Sequence, residues 1–425
     1  MKSNFKYLIL ILFLNGCLLS QNKLIDEIKI SGNKKTKKRI ILREINHKKN
    51  VFLDTSIIKS DIERLLNLGI FTDVRYDTEI IEDSLILNYL VTEHSLKIIP
   101  GITPIFSEEQ GWSFALFAEI MNFRGLNQSL DAGMIVGAMN TLGVSFKDPW
   151  IAGDHISFAF DLIIDEWNHT FLPYYLNRKY YGIKFGKWWD YKLKLSLDLA
   201  LRNEKFLSQD SKFIIDDFKI LNIKPTFSYD KRDIYRNPTS GFLIISVLDY
   251  NQIYNKNTYR LILTNSISKY FNFRNFIFGF NTSFSTLLGY DDEKMIKYFG
   301  GLNSIRGWKV PSFENFNNLN DQYRFGNHNL IFSSEIRKDL IEYSSLNIMD
   351  LNFEKGLTSL IFYDIGFNSK ELETLLKINN LPLIGIGFGF RVPFLGNVIG
   401  PDFGWSYYDK SFISSAIHIR IGQKF

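Results

Sequence analysis

The sequence predicts a transmembrane β-barrel of about 16 antiparallel strands, preceded by one small α/β domain with the element order β-α-α-β-β. The 425 residues include 38 Phe, 21 Tyr and 7 Trp, yet the mean hydropathy is only −0.07. From residue 95 onward, apolar and polar residues alternate along one segment after another. After the N-terminus, no apolar run is long enough for a membrane helix. If the protein is integral to a membrane, it must therefore be a closed β-barrel, because in lipid the backbone groups have to be hydrogen-bonded within the protein.

Composition and charge exclude two broad classes of protein. Hydrophobic residues make up 45% of the chain and charged residues 22%, which excludes intrinsic disorder. A net charge of +5 is small for this length. It does not indicate a nucleic-acid-binding surface, so no nucleic acid is expected among the partners.

Residues 1–20 are predicted to be a signal peptide. Lys2 and Lys6 precede a short apolar run, and the chain then turns polar. Cleavage after residue 20 would remove Cys17, the only cysteine. A lipoprotein anchor at Cys17 is the alternative, although Asn15 fits that pattern poorly. Either interpretation predicts an exported protein.

Residues 22–94 are predicted to form the α/β domain. A first strand ends at a Ser-Gly-Asn turn, and a helix carrying Ile40 and Ile41 follows. Asp54 or Thr55 can cap a second helix, whose apolar stripe ends at Gly69. Two strands joined by a Glu-Asp turn complete the domain. The lysine-rich stretch at 34–39 is interpreted as a solvated turn rather than a nucleic-acid-binding arm.

Three segments of this domain, "IDEIKISGNKKTKKRIILREI", "LLNLGIFTDVRYDTE" and "LILNYLVTEH", resemble a POTRA domain, a periplasmic module that binds polypeptides. The resemblance covers the whole domain. It implies that an extended client chain adds as a strand to an exposed sheet edge.

The region 95–425 is predicted to be the barrel. Around residues 191–203 every second residue is leucine and the intervening residues are mostly polar, which gives one apolar and one polar face. A soluble β-sandwich also alternates. Full charges on the polar face, and aromatic residues near strand ends, favour a membrane barrel instead. The aromatic residues expected to form these girdles are Trp188, Trp189, Tyr270 and Trp405. In the last strand, Phe425 shares the parity of the isoleucines and is expected on the apolar face.

Six segments of the barrel region resemble, in their order, motifs of the BamA/TamA outer-membrane assembly superfamily. They are "YDKRDIYRNPTSGFLI" with Asp230, Arg232 and Asp233; "YFGGLNSIRGW" with Gly300, Gly301, Arg306, Gly307 and Trp308; "LIFSSEIR" with Glu335 and Arg337; "LIFYDIGFNS" with Asp364 and Gly366; "GIGFGFRVPFLGNVIGPDFGW" with Arg391; and "HIRIGQKF", which ends at Phe425. The terminal aromatic resembles the family's barrel-insertion signal.

The resemblance implies that a long extracellular loop folds back into the barrel and that Arg306 is its key side chain. Strand parity places Asp364 and Glu335 on the polar, inward face, and the resemblance implies that they are the partners of Arg306. Gly307 would allow close backbone approach, and Trp308 would pack beside it. The alternative is an ordinary loop arginine in water.

Enzymatic activity, cofactors and metals are not expected. The six histidines include no HExxH pair, and neither a Gly-x-Ser-x-Gly elbow nor a P-loop is present in the sequence. The Gly-x-Gly-x-Gly run at 385–389 alternates within a strand pattern, so its glycines are expected to leave space inside the barrel.

The sequence therefore predicts an outer-membrane protein of a Gram-negative-type bacterium, with the POTRA domain in the periplasm, that assists insertion of β-barrel proteins. Expected partners are unfolded outer-membrane or secreted polypeptides, the lipid bilayer and accessory lipoproteins. Two alternatives remain open, a polypeptide translocator of the two-partner type and a passive pore or structural barrel. A single POTRA domain departs from the multi-domain insertase and leaves a general housekeeping role in doubt.

Overall fold

The structure, a computed structural model, describes residues 24–94, 98–152, 155–189, 192–210, 213–302, 304–348, 351–377, 379–394 and 397–425. The predicted signal peptide, residues 1–20, lies outside the described residues. The chain divides into two compact units, the N-terminal domain and the strand-rich region after it, and each is described by itself.

The N-terminal domain has the predicted order of elements. They are β1 (Ile25–Ser31), α1 (Lys38–Leu42), α2 (Thr55–Asn67), β2 (Phe71–Ile81) and β3 (Ser84–Glu93). The sheet order is β1-β3-β2, with β1 parallel and β2 antiparallel to β3. Ile41 of α1 and Ile58 and Leu65 of α2 are buried against the sheet.

Local sequence signals set the ends of these elements. Asp54 caps α2, because its Oδ1 accepts from the backbone N–H of Ser56 at 2.8 Å and of Ile57 at 3.3 Å. The hydrogen bonds from Ser56 lower the pKa of Asp54, so the cap stabilises the helix above the usual carboxyl range and fades as the pH falls through the lowered pKa. After the helix, Gly69 takes a φ of 71°.

A buried carboxylate ties three parts of the domain together. Asp61 of α2 is fully buried. It accepts hydrogen bonds from the backbone N–H of Asn46 at 2.9 Å, from that of His47 at 3.1 Å and from the Tyr89 hydroxyl at 2.7 Å. Arg64 forms an ion pair with the same carboxylate. The loop after α1, helix α2 and strand β3 are thus held by one side chain.

The second unit is one antiparallel sheet of sixteen strands. Its strands are β4 (Ile98–Ser107), β5 (Gly111–Phe123), β6 (Gln128–Gly137), β7 (Met139–Ala152), β8 (Ile156–Asn168), β9 (Tyr174–Trp189), β10 (Leu193–Ser208), β11 (Ile214–Asp230), β12 (Gly241–Ile253), β13 (Thr258–Phe273), β14 (Phe276–Gly289), β17 (His328–Ile348), β18 (Leu351–Ser369), β19 (Leu383–Phe394), β20 (Asn397–Tyr408) and β21 (Ser411–Ile421). Each strand pairs with the strands before and after it in this series, so that β14 pairs with β17, and β4 and β21 stand at the two ends of the order.

A long loop, residues 290–327, separates β14 from β17 and is called the lumen loop below. It contains the short strands β15 (Lys297–Tyr298) and β16 (Phe325–Gly326), which pair with each other, and the helix α3 (Phe313–Asn317). Among the residues that the structure describes, no helix is long and apolar enough to cross a bilayer.

The alternation read from the sequence is present in the sheet. Leu195 and Leu201 of β10 are exposed on the outer face, whereas Asp198 and Ala200 are buried on the inner face. The outward residues would contact lipid, and the inward residues line the interior, called the lumen here.

Two sequence expectations about aromatic residues are wrong. Tyr270 does not belong to an outer girdle, because its side chain is only 1% exposed and lies inside. Phe425 does not continue the apolar face of β21. The strand ends at Ile421, and Gly422, with a φ of 89°, turns the chain inward. Trp188 and Trp189 do lie at the end of β9, and Trp405 is exposed on β20.

We expect Asp61→Asn to destabilise the N-terminal domain by about 2 kcal/mol, because the amide cannot accept every hydrogen bond that the carboxylate accepts. Urea titration of the full chain in detergent, followed by protease cleavage within residues 24–94, measures the change. Asp77→Asn on the exposed part of β2 is the matched control and should leave the midpoint unchanged. Equal midpoints for the two variants would contradict the structural role of Asp61.

Candidate functional site

The lumen loop packs onto the inner wall of the sheet through an apolar patch. Phe299, Ile305 and Trp308 of the loop cluster with Leu383 of β19, and all four are nearly or fully buried. The indole Nε1 of Trp308 donates to the carbonyl of Ile384 at 2.9 Å. Hydrophobic burial therefore holds this part of the loop against the wall.

Arg306 lies at the centre of the docked loop and is fully buried. Its Nε and Nη2 donate to the two carboxylate oxygens of Asp364 on β18, both at 2.9 Å. Its Nη1 donates to Glu335 on β17 at 2.5 Å. The guanidinium carbon lies 3.8 Å from the ring centre of Phe362. Charge-assisted, bidentate pairing and the aromatic face offset the cost of burying this cation.

The sequence expectation that Arg306 meets Asp364 and Glu335 thus agrees with the contacts in the structure. The backbone N–H of Arg306 also donates to Asp364, at 3.1 Å. The carboxylate consequently fixes both the side chain and the local backbone of the loop.

A wider set of buried charges surrounds this pair and is called the lumen charge cluster. Its cations are Arg306, Arg337, Arg391, Arg420 and Lys424, and its carboxylates are Glu335, Asp364 and Asp402. Arg337 Nε donates to Glu335 at 2.8 Å, and Arg391 pairs with Asp402 at 2.8 Å. Five cations face three carboxylates within the cluster, so positive charge is in excess.

Sequence reasoning missed several of these residues. Asp402 stands in the quoted segment "GPDFGW", and the parity rule that placed Asp364 inward would also have found it. Arg420 and Lys424 stand in the quoted segment "HIRIGQKF", but no partner was predicted for them. Lys424 Nζ donates to Asp364 at 2.7 Å, which makes this carboxylate common to the loop and to the end of the chain described here.

A row of glycines forms the surface on which the loop backbone lies. A Cβ added at Gly385 of β19 would come within 1.9 Å of the Arg306 carbonyl oxygen. One at Gly404 of β20 would lie 2.6 Å from the Gly307 nitrogen, and one at Gly366 of β18 would meet the Ile305 side chain at 2.1 Å. The strand glycine at Gly385 therefore leaves space inside the barrel, as expected, and the backbone of Arg306 occupies that space.

The remaining glycines of the loop motif shape its turns. Gly307 has a φ of 89° and lies directly on the backbone of Trp405. The Gly300 N–H donates to Ser304 Oγ at 2.7 Å, and the Gly301 N–H donates to the Trp308 carbonyl at 2.8 Å. Together they fold the motif into a compact turn that presents Arg306 to the wall.

A histidine on β21 connects the loop motif to the first hairpin of the sheet. His418 Nε2 accepts from the Gly307 N–H at 2.9 Å. Nδ1 is therefore the protonated nitrogen, and it donates to Glu108 in the β4–β5 turn at 2.6 Å. The two strands at the ends of the sheet order are linked by these side chains.

The upstream motif residues lie apart from Arg306. Asp230 and Arg232 form a bidentate pair at 2.9 and 2.8 Å next to the β11–β12 turn. Asp233 accepts from the backbone N–H of Thr239 at 2.9 Å within the same turn. This turn approaches the cluster through Pro238, whose carbonyl accepts from Arg337 at 3.4 Å. These residues organise a turn.

The site holds the lumen loop in place. Its ionisable groups form ion pairs with one another. Within the described ranges, no group of three or more His, Cys, Asp or Glu side chains is placed to hold a metal ion. The arrangement fixes a loop inside a barrel by ion pairs, a fitted backbone surface and a buried indole.

Arg306→Ala should release the lumen loop, because Asp364 and Glu335 would lose a buried countercharge worth about 3–5 kcal/mol. Proteinase K cleavage within 290–327, on the folded protein in detergent, measures the release. Lys309→Ala removes an exposed cation from the same loop and is the control. If both variants resist cleavage as the parent does, Arg306 does not hold the loop.

Gly385→Ala should have a similar effect through sterics alone, since its Cβ would collide with loop backbone and cost about 1–3 kcal/mol. The same cleavage assay applies. Gly143→Ala on β7, where a Cβ meets its nearest neighbour at 3.6 Å, is the matched control and should behave as the parent. A silent Gly385→Ala would mean that the loop does not rest on the wall as described.

Comparison with known proteins agrees with this architecture. The family described as the Omp85 superfamily domain matches residues 122–425, and a POTRA family, described as a surface antigen variable number repeat, matches residues 24–94. A curated relative is the outer membrane protein assembly factor BamA of Neisseria meningitidis serogroup B, which is 27% identical over 143 residues. That match covers 32% of this chain and spans only 18% of the relative.

Three solved structures share the fold. BamA from Haemophilus ducreyi lacking POTRA domains 1–3 aligns with a TM-score of 0.54 and 14% identity, over 94% of this chain and 84% of that one. CdiB from Acinetobacter baumannii gives 0.53 and 12%, over 94% and 74%. CdiB from Escherichia coli gives 0.58 and 10%, over 94% and 76%. The first family match covers most of the chain, and the protein therefore belongs to the Omp85 superfamily as an outer-membrane β-barrel protein with a POTRA domain.

Proposed function

We propose that this protein assists the insertion of β-barrel proteins into the outer membrane of a Gram-negative-type bacterium. In this proposal residues 1–20 are a signal peptide, residues 22–94 form a POTRA domain in the periplasm, and residues 95–425 form the barrel. The clients are unfolded outer-membrane polypeptides, and the surrounding bilayer is the medium into which they fold.

One observation carries the proposal. The sheet ends at β4 and β21 without a backbone ladder joining these strands in the described part of the chain. Side chains join them instead, through Glu108 and His418, next to the docked Arg306 motif. An unpaired strand edge is a template for another strand. Holding the ends together by side chains leaves their backbone groups available to a client.

The POTRA domain offers a second edge. Strand β2 pairs with β3 on one side only and is an outer strand of its sheet. The half of β2 from Arg75 to Ile81 is exposed. An extended client segment can add there before it reaches the barrel. The free energy comes from the client's own folding, so the mechanism requires no nucleotide.

The name of the Neisseria relative, an assembly factor for outer membrane proteins, supports the same role. The translocator and passive-pore alternatives both require an open lumen. Here the lumen contains the docked loop and the Lys424 segment, so each alternative would need these to be displaced first. Accessory lipoproteins and the use of Phe425 as an insertion signal stay predictions.

Reconstitution tests the proposal. We expect the purified full chain in liposomes to speed the folding of an urea-unfolded barrel client, measured by heat-modifiable gel mobility and protease protection. Arg306→Ala should reduce the folding rate of the client by about tenfold or more. The variant loses the ion pairs that hold the lumen loop, and a loss of at least ~1.4 kcal/mol corresponds to a factor of ten. Lys309→Ala should match the parent.

Depletion in cells separates the alternatives. Lower levels of several barrel proteins would support the insertase, and loss of one secreted protein alone would support translocation. Unchanged levels of both, with altered permeability to small solutes, would leave the passive pore.

A further inference from the structure

The outer face of the sheet carries a group of polar side chains near one end of β9, β10 and β11, called the outer polar patch. Its members are Asn177 and Lys179 of β9, Asn203 and Lys205 of β10, and Asp217 and Lys219 of β11. Asn203 is opposite both Lys179 and Lys219, and Lys205 is opposite both Asn177 and Asp217. Leu176, Phe206 and Phe218, of the opposite parity on the same strands, are buried inside. The patch therefore points away from the lumen.

The three lysines of the patch differ from the lysines on the inner face of the same strands. The inward Lys184 and Lys224 both form ion pairs with Asp198, at 3.1 and 3.3 Å. The lysines of the patch form no ion pair with any residue that the structure describes. Positive charge at the edge of a bilayer that is not neutralised within the protein attracts the anionic headgroups of lipids.

The patch also contains hydrogen-bond acceptors that lack donors. In the described part of the chain, Asn203 Oδ1 and Asp217 Oδ1 are buried without a hydrogen-bond partner. Glu166 of β8 borders the patch, and its carboxylate already accepts from the Tyr175 hydroxyl at 2.8 Å and from the side chain of Asn177. A buried acceptor without a donor costs free energy, and a hydroxyl group would satisfy it. The patch thus fits a ligand that carries both phosphate and hydroxyl groups.

Two neighbouring cavities on the outer face fit a ligand with a polar head and an apolar tail. The polar cavity, of about 310 Å³, is lined by Asn177, Lys179, Asn203, Lys205, Leu207 and Ile214. The apolar cavity, of about 300 Å³, begins at Tyr181, the next outward residue after Lys179 on β9, and its lining includes Ile183, Leu199 and Leu201. A tyrosine at this boundary is typical of the aromatic girdle of a membrane barrel.

The direction of the strands determines which leaflet the patch meets. The first barrel strand, β4, begins at Ile98, and β8 runs in the same direction because neighbouring strands are antiparallel. The last residue of β8, Asn168, accepts a hydrogen bond from Gln110 in the β4–β5 turn at 2.9 Å. The patch is therefore at the end of the barrel opposite to the start of β4. With the N-terminal domain in the periplasm, this end meets the outer leaflet. That orientation rests on the proposed function, whereas the chemistry of the patch does not.

We propose that the outer polar patch binds a phosphorylated and acylated glycolipid of the outer leaflet, of the lipid A type. Lys179 and Lys219 lie two strands apart, about 10 Å between their Cα atoms. This separation suits two phosphate groups on one disaccharide better than the single phosphate of a glycerophospholipid. The free acceptors of Asn203 and Asp217 receive sugar hydroxyls, and an acyl chain occupies the apolar cavity.

Native mass spectrometry of the full chain in detergent, with bisphosphorylated lipid A as the probe, tests the site. The double variant Lys179→Gln/Lys219→Gln should bind the probe about tenfold more weakly, because charge-assisted contacts to phosphate are lost. Lys187→Gln, at the other end of the outward face of β9, is the matched control and should bind as the parent does. Equal affinities of the double variant and the parent would overturn the proposal.

The lipid specificity of the parent protein gives a second test that needs no variant. Bisphosphorylated lipid A should be retained at least about tenfold more strongly than dephosphorylated lipid A or phosphatidylglycerol. If the dephosphorylated lipid is retained equally well, the lysines do not recognise phosphate. If phosphatidylglycerol is retained equally well, the ligand is not a glycolipid.

Asn203→Leu tests the recognition of hydroxyl groups separately from that of phosphate. The variant keeps all three lysines and removes one acceptor, so its affinity for lipid A should fall about fivefold. Its affinity for phosphatidylglycerol should be unchanged, and an equal loss for both lipids would contradict hydroxyl recognition.

The lipid measurements and the client-folding assay fail independently. If the parent folds no client, the proposed function fails, while lipid A binding still decides the site. If the parent folds clients but does not distinguish lipid A from phosphatidylglycerol, the glycolipid site is wrong and the proposed function stands.

Discussion

The structure depends on how one buried guanidinium is compensated. Arg306 is removed from water, so it is stable only where carboxylates and an aromatic face meet it at hydrogen-bonding distance. Asp364 and Glu335 come from adjacent strands and can meet it only if β17 and β18 hold their register and the loop folds inward. The ion pairs therefore couple the order of the loop to the order of the wall.

The glycines of the wall also couple the order of the loop to the order of the wall, in this case through steric fit. At Gly366, Gly385 and Gly404 the loop lies so close that a methyl group has no room. Arg306 could reach its carboxylates from several backbone positions of the loop. The glycine surface, in contrast, has room for the loop backbone in one position. Electrostatics supplies the affinity, and the glycines supply the alignment.

Much of this could be predicted from the sequence because a strand has a period of two. That rule alone places Asp364 and Glu335 inward, and the resemblance of the Arg-Gly-Trp segment to the family motif then implies their partner. The rule fails where the chain leaves the strand. Phe425 was expected on the outer face because it continues the alternation of β21. The strand ends before Phe425, since the chain turns inward at Gly422, which has a positive φ. The Glu108–His418 contact joins residues 310 positions apart, and no local pattern predicts it.

The excess of cations in the lumen charge cluster has a consequence for transport. Any ion crossing the barrel would pass the five cations and three carboxylates of the charge cluster, close to low-dielectric walls. Such a lining attracts chloride and repels potassium. At the level of this cluster, a passing anion would therefore be favoured over a passing cation.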